Sequence, residues 1–366
     1  MSPRPTLRHT LLCAAVVAGL SGTAFGQATT GRIAGQAPAA AGETVLIEGS
    51  NGIVREVQVD PRGRYSADAL PLATYKVSLK SSGNVVDSRE NVTLRVGAAT
   101  DVSFGAPATS QDAQNLEQVT VSATQVPKID VATVASSTVI TAADLARLPL
   151  QRSAEGIALL APGASPGASG FKGAMGNSLV SFSGSSVTEN AYYINGMNTT
   201  DPLSGFGGIT LPYGAIDQQE VLSGGYSAMY GRSDGGVISQ VGKRGTNEWH
   251  FGAQLLWEPD FARARARNIH YGQDNPNPPG TILQRNDDNH EWTTTASAYA
   301  GGPLIKDKLY AFAAVEMERS KGNAIGDVNH PYDTKYTYKN PKWYGKLDWN
   351  INDSNILELT GVSQTH

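Results

Sequence analysis

Lys342-Trp343-Tyr344-Gly345-Lys346-Leu347-Asp348-Trp349-Asn350-Ile351 is the stretch on which the fold turns. Successive side chains of a strand point to opposite sides, so Trp343, Gly345, Leu347, Trp349 and Ile351 share one face. Lys342, Tyr344, Lys346, Asp348 and Asn350 share the other. Trp249, Phe251, Ala253, Leu255 and Trp257 alternate in the same way with His250, Gly252 and Gln254. Leu309, Ala311, Ala313, Val315 and Met317 alternate with a polar side that carries Glu316 and Glu318. Strands of about ten residues with one apolar face, one polar face and aromatics toward the ends suit a membrane barrel; strands of soluble sandwiches are nearer ~5–6 residues.

The spacing between these segments is a second signal. Strands are expected near 247–258, 290–301, 308–320, 341–350 and 355–364. The links between them then run long, short, long, short: 259–289, Gly302–Asp307, 321–340 and Ile351–Ser354. Membrane barrels alternate short turns on one side with long loops on the other. If the preceding residues lie on the periplasmic side, the first strand runs outward and both long loops fall outside. All five tryptophans lie beyond residue 248: Trp249, Trp257, Trp292, Trp343 and Trp349.

Composition agrees. The 366 residues are 40% hydrophobic and 17% charged, where a soluble domain is nearer ~25% charged, and 40 are glycine. The length suits two or three domains. A net charge of −4 gives no electrostatic footprint for nucleic acid, and no apolar run reaches the ~18–20 residues of a spanning helix. Residues 1–26 read as a secretory signal: Arg4, Arg8 and His9 precede an apolar run from Leu11 to Leu20, and Ala24 and Gly26 fit a cleavage site before Gln27. Cleavage there removes Arg4, Arg8 and Cys13, leaving 27 basic against 33 acidic side chains and no cysteine. Stability must then come from packing and sheet hydrogen bonds, without disulfides.

Between the signal and the long strands, two compositions follow one another. Residues 27–106 hold short alternating runs, among them Thr44–Glu48, Val54–Val59, Tyr75–Leu79 and Val92–Val96, separated by Ser50-Asn51-Gly52, Asp60-Pro61-Arg62-Gly63 and Ser82-Gly83-Asn84. About seven short strands in this span predict a small antiparallel sandwich. Residues 107–126 form a linker without apolar periodicity that holds one extended string, Val119-Thr120-Val121-Ser122-Ala123. Residues 127–246 are rich in glycine. A helix is expected after the cap Thr141 with Asp144 at its third position, a second over Ser153–Leu160, and strands near Leu179–Phe182, Ala191–Ile194, Gln219–Leu222 and Val237–Val241.

Two resemblances rest on longer motifs. Val59-Asp60-Pro61-Arg62-Gly63-Arg64-Tyr65 with Leu70-Pro71-Leu72-Ala73-Thr74-Tyr75-Lys76-Val77 resembles carboxypeptidase-regulatory-like domains, whose fold is prealbumin-like and grouped with carbohydrate-binding-like folds; Thr74 stands where that pattern has Gly. Ser186–Met197, Ser223–Arg232, Lys243–His250 and Gly301–Tyr310 resemble TonB-dependent outer-membrane receptors of the Oar-like branch. That second resemblance covers nearly the whole chain and implies a mainly β protein: a sandwich over 27–106, an α+β plug over 127–246, and the first five or so strands of an antiparallel transmembrane barrel over 247–366. It implies a TonB box at Val119, Thr120, Val121, Ser122 and Ala123. The implied partners are TonB, outer-membrane lipid and an imported ligand, with carbohydrate and peptide both open. Ser183-Gly184 and Asn195-Gly196 depart from the Arg-Gly and Asp-Gly pairs of many siderophore receptors, so no iron-siderophore substrate is implied.

Other signals carry less. Gly163-Ala164-Ser165-Pro166-Gly167 matches a hydrolase string without its strand–turn–helix setting. The histidines are scattered singly, so neither a catalytic set, a metal site nor a cofactor is expected. Arg263, Arg265 and Arg267 in the first long loop, and Glu316 and Glu318 on the polar strand face, are the candidates for ligand contact. Five strands are fewer than the ~8 a barrel needs, and Ser363-Gln364-Thr365-His366 lies partway along a strand, so a C-terminal truncation is expected, with the 366 residues alone not forming a transporter. The competing reading is a surface adhesion protein on the same scaffold, with the sandwich and outer loops as binding modules.

Overall fold

Turn residues cut the N-terminal region into short strands in the computed structural model, which describes residues 29–38, 43–104, 135–148, 150, 152–167, 173, 178–231, 233–272, 280–325, 333–352 and 355–365. β1 (Thr30–Gln36), β2 (Glu43–Gly49), β3 (Val54–Gln58), β4 (Arg64–Pro71), β5 (Thr74–Ser81), β6 (Asn84–Thr93) and β7 (Ala99–Asp101) make two sheets, ordered β4-β1-β7 and β3-β2-β5-β6. Ser82 and Gly83 both take positive φ, 52° and 86°, in the two-residue hairpin between β5 and β6. The Asp60 carboxylate accepts from the amides of Arg62 and Arg64 and fixes the β3–β4 turn. Ile33, Val45, Ile47, Tyr65, Leu70 and Val77 are among the side chains that fill the space between the sheets. The strand expected over Val92–Val96 stops at Thr93. Leu94 and Val96 are buried, but their backbone groups leave the ladder to meet a side chain of the next domain: Gln218 donates to the Leu94 carbonyl (2.6 Å) and accepts from the Val96 amide (3.0 Å).

The central domain begins with β8 (Ser136–Thr141), which runs straight into α1 (Ala142–Leu145). Thr141 caps that helix, accepting from the Asp144 amide while the Asp144 carboxylate accepts from the Thr141 amide. Ser153 caps α2 (Ala154–Ala158), whose five residues are all buried. β9 (Ala164–Pro166) and β10 (Val180–Phe182) pair with each other. β11 (Ala191–Ile194), β12 (Met197–Asn198), β13 (Ile216–Gly224) and β14 (Val237–Gly242) join β8 in a sheet ordered β12-β11-β14-β13-β8. Asn195 and Gly196, with φ of 47° and 78°, form the tight turn between β11 and β12.

The third part is a wall of long strands: β15 (His250–Glu258), β18 (Glu291–Ile305), β19 (Leu309–Ile325), β20 (Asp333–Asn352) and β21 (Asn355–Gln364), adjacent in that order and each antiparallel to the next. A small hairpin of β16 (Ile269–His270) and β17 (Ile282–Gln284) lies within the first long link. The period of two is realised. Phe251 is 80% exposed, and Leu255, Val315, Trp343, Leu347, Trp349, Leu357 and Leu359 are exposed on the same side of the sheet. Tyr310, Phe312, Ala314 and Tyr344 are buried on the other side, where Phe312, Ala314 and Tyr344 join the core of the central domain.

The expected second long link, 321–340, is mostly strand. β19 and β20 stay paired from Lys321↔Thr337 to Ile325↔Asp333. Beyond the apolar band both faces meet water, so hydropathy alternation ends there while backbone pairing continues. β18 likewise continues to Ile305, into the short link expected over Gly302–Asp307. The sandwich contacts the short-turn end of the wall: Asn350 donates to the Asn51 carbonyl (2.9 Å) and the Asn247 amide to the Ser50 carbonyl (3.1 Å). Among the described residues, no helix is long and apolar enough to cross a membrane.

The exposed apolar face makes a direct prediction. Val315 is 56% exposed near mid-height of the band. Val315→Arg is expected to destabilise the membrane-inserted protein by about 2–4 kcal/mol, read from urea unfolding in lipid vesicles; Glu318→Arg, whose side chain points inward on the same strand, should cost far less.

Candidate functional site

The site built by these elements is the seam where the central domain meets the inner face of the wall. Its first cluster centres on Glu316 of β19, whose side chain is wholly buried. Lys342 of β20 donates to it at 3.0 Å, the Tyr213 amide at 3.2 Å, and Arg152 lies 3.5 Å from it. Arg152 also stacks over the Tyr213 ring at 4.3 Å and donates to Gln254 of β15 at 2.7 Å. Arg152 and Tyr213 come from the central domain; Glu316, Lys342 and Gln254 come from the wall.

The second cluster centres on Arg244, in the segment that leads from β14 to the wall. Its guanidinium pairs with Asp348 of β20 at 3.0 Å and with Glu358 of β21. Lys346 completes the group, 3.0 Å from Glu358 and 3.6 Å from Asp348. Two cations and two carboxylates balance, which lets them share a site where an isolated charge would cost several kcal/mol.

Uncharged contacts run between the two clusters. Asn195 donates to the Tyr344 hydroxyl (3.1 Å) and to Thr360 (3.2 Å), and accepts from the Gly242 amide (2.9 Å). An amide can do both at once, whereas an ionised carboxylate only accepts. Gly242 has no room for a side chain: a Cβ there would lie 2.3 Å from the Tyr344 ring. Lys243 stands over the Tyr299 ring at 4.9 Å. Nearer the sandwich, Ser137 donates to Glu220 at 2.8 Å, and burial pushes the Glu220 carboxyl above its ordinary value of 4.5. Burial also pushes the Asp217 carboxyl up, against the pull of Lys243, Arg244 and Lys346.

The residues singled out from sequence are distributed as follows. Glu316 is committed to the first cluster, and Glu318, two residues along the same face, is half-buried. Arg263 pairs with Glu291 at 3.2 Å and ties the loop to the start of β18, and Arg265 binds Asp260 (3.4 Å) and the Asp287 and Asn289 carbonyls (3.1 and 3.3 Å) and holds the loop together. Arg267 is exposed. The three arginines are not brought together with Glu316 or Glu318. Val119, Thr120, Val121, Ser122 and Ala123 lie outside the described residues, as do the signal 1–26 and the linker 107–126. Arg152 and Arg244 were missed. The available signal was the polar strand face itself, because Lys342, Lys346 and Asp348 in a buried position require charged partners from elsewhere. Among the described residues no group of three or more His, Cys, Asp or Glu is arranged to hold a metal ion.

Comparison with known proteins matches residues 130–238 to the family model of the TonB-dependent receptor plug domain. The TonB-dependent transporter Oar of Myxococcus xanthus is 33% identical over 162 residues, which is 44% of this chain and 14% of that protein. Among solved structures, the siderophore receptor PirA from Acinetobacter baumannii aligns over 63% of this chain and 31% of its own at 20% identity and a TM-score of 0.43. The outer membrane transporter YddB from Escherichia coli aligns over 63% and 33% at 18% identity and a TM-score of 0.44. The chain therefore spans about a third of the solved structures it matches, and a smaller share of the curated relative.

Two substitutions test the seam. Arg244→Met leaves Asp348 and Glu358 with one cation for two buried or half-buried carboxylates and is expected to cost about 3–5 kcal/mol, seen as a lower melting temperature and faster chymotrypsin cleavage of the central domain; adding Asp348→Asn should recover part of the loss. Glu220→Gln should stabilise the fold above the ordinary carboxylate range. A raised folded-state value means that the native contribution of Glu220 is full below about 4.5 and is lost as pH rises through the folded value, so the advantage of the glutamine variant should grow from pH 4 toward neutrality in thermal melts.

Proposed function

We propose, from the premise that this chain belongs to the TonB-dependent receptors by its plug domain, that it serves energised uptake of a ligand across the outer membrane. The observation that carries the reading is the pairing of a folded plug with the inner, polar face of a two-faced strand wall. We further propose the division into signal 1–26, sandwich 27–106, linker with TonB box 107–126, plug 127–246 and barrel strands from 247.

A barrel wide enough to hold a domain is too wide to select by size, so a plug must close it. The outer membrane maintains no ATP supply or ion gradient of its own, and the work of opening must come from the inner membrane. The extended string Val119–Ala123 suits addition to an exposed sheet edge of TonB, where main-chain hydrogen bonds give the affinity. Its place in the chain gives the force a definite point of entry. The next described strand is β8, which lies at the edge of the plug sheet and, among the described residues, has β13 as its one strand partner. Tension on the linker therefore loads an edge strand of six residues before it loads the interior of the plug sheet.

Recognition through the main chain separates this reading from adhesion. Val121→Pro removes a ladder N–H and should abolish binding of the purified periplasmic domain of TonB, measured by surface plasmon resonance, while Val121→Thr should leave it within a few-fold. Equal binding by the wild type and the proline variant, or none by either, would sink the proposal.

A further inference from the structure

The central sheet meets a different neighbour on each face. On one face Ile140, Val221 and Ile238 pack into the core that Phe312, Ala314 and Tyr344 of the wall complete. The other face carries Val139 of β8, Gln218 and Glu220 of β13, and Val241 of β14. Register puts these four on one side, with Val139 opposite Glu220 and Gln218 opposite Val241. The sandwich lies on this second face. Val241 is buried in its core, and Val139 packs against that core. Gln218, only 2% exposed, bonds the Leu94 carbonyl and the Val96 amide. Gly97, at a φ of 67°, makes room for Glu220: a Cβ there would stand 3.3 Å from the carboxylate. The contact therefore spans β14, β13 and β8, which are neighbours in the sheet.

A different turn of the same module, Ser50-Asn51-Gly52, reaches the wall. Asn350 of β20 donates to the Asn51 carbonyl at 2.9 Å, and the Asn247 amide to the Ser50 carbonyl at 3.1 Å. Gly52, at a φ of 73°, is pressed on the turn between β18 and β19, where a Cβ would lie 2.3 Å from the Tyr310 hydroxyl and 2.9 Å from the Asp307 backbone. A packed module fixed to the wall at one turn and to three strands of the central sheet at another restrains that sheet relative to the wall. It does so from the face that the seam does not reach.

We propose that the sandwich is a strap that locks the central domain to the wall, with Gln218 as its catch. One side-chain amide supplies both the donor and the acceptor that Leu94 and Val96 would find in a neighbouring strand. A small displacement of β13 leaves a buried carbonyl and a buried amide without partners, which is costly, whereas full separation lets water take both. The catch therefore resists small shifts and opens as a unit. Val139 extends the hold to β8, the strand that the proposed load reaches first, so the strap must open before β8 can leave the sheet. That order of events rests on the uptake reading; the lock itself does not.

The test follows backbone hydrogen exchange by mass spectrometry in full-length protein extracted from outer membranes in mild detergent. Gln218→Leu should speed exchange of the Val96 amide and of β8 and β13 about 25-fold, a factor of about five for each lost bond. Asn350→Ala cuts the wall end of the strap, at bonds to Asn51 and Asp307, and should speed β8 and β13 about fivefold. Lys76→Gln, which opens an exposed ion pair with Glu90 within the sandwich, should change neither strand. Acceleration confined to Val96 in the first variant, or unchanged exchange of β8 and β13 in the second, would overturn the proposal. Should β2 and β5 also speed up in Gln218→Leu, the sandwich itself has loosened, and Asn350→Ala decides alone. TonB takes no part in these measurements, so failure of the lock shows here and failure of the uptake reading shows in the binding of TonB.

Discussion

Everything in the wall follows from the demand that a backbone in lipid satisfy its own hydrogen bonds. A strand cannot do so alone. It must have neighbours on both sides, and once paired it has two faces that meet different surroundings. The outward face of β15 and β18–β21 is apolar because no water is there to solvate a charge. The inward face is free to be polar, and the chain uses it for Glu316, Lys342, Lys346 and Asp348. The plug is shaped by that choice. Its sheet lies against a surface already committed to charge, so its own contribution must include Arg152 and Arg244 along with apolar packing on Phe312 and Tyr344.

A seam of this kind suits the displacement that the proposed uptake would require. Apolar area costs about 25 cal/mol per Å² when it is exposed to water. Ion pairs and amide bonds exchanged for water cost far less, because solvent replaces the lost partners. Around Tyr344 the seam has both characters: its ring lies in the apolar core, and its hydroxyl accepts from Asn195. Gly242, pressed against that ring, shows how close the approach is. Separation would flood the charged clusters first and leave the aromatic contact as the main barrier.

How much of this could be read from the sequence depends on which physical signal each part carries. The wall strands were legible because alternation against lipid is strict. The top of the β19–β20 hairpin was not, because above the membrane both faces meet water and the alternation disappears although pairing persists from Lys321 to Ile325. The capping box at Thr141 and Asp144 was legible because it is local. Arg152 and Arg244 were not, because the partners that explain them lie 164 and 104 positions away or more, at Glu316 and Asp348. The end of β6 failed for a related reason. Leu94 and Val96 read as strand by pattern, but a side chain of another domain, Gln218, takes their backbone groups.

That last contact bears on how the three parts work together. The Gln218 amide meets the Leu94 carbonyl and the Val96 amide as a strand backbone would, from a strand of the plug sheet that neighbours β8. Val241 of β14 is buried in the core of the sandwich, and Asn350 and Asn247 tie the same module to the wall. The sandwich is thus joined both to the wall and to the central domain, the part that would move in the proposed uptake. A plug strand cannot shift far while its glutamine holds the β6–β7 connection, so undocking of Leu94 and Val96 must come before, or together with, any displacement of β13. In the proposed mechanism the load would reach this same module at Phe104, its last described residue, whose amide is bonded to the Gln36 carbonyl of β1. On that proposal, tension entering there would be resisted by the sandwich in one direction and by β8 in the other. The weaker of those two attachments sets which moves first.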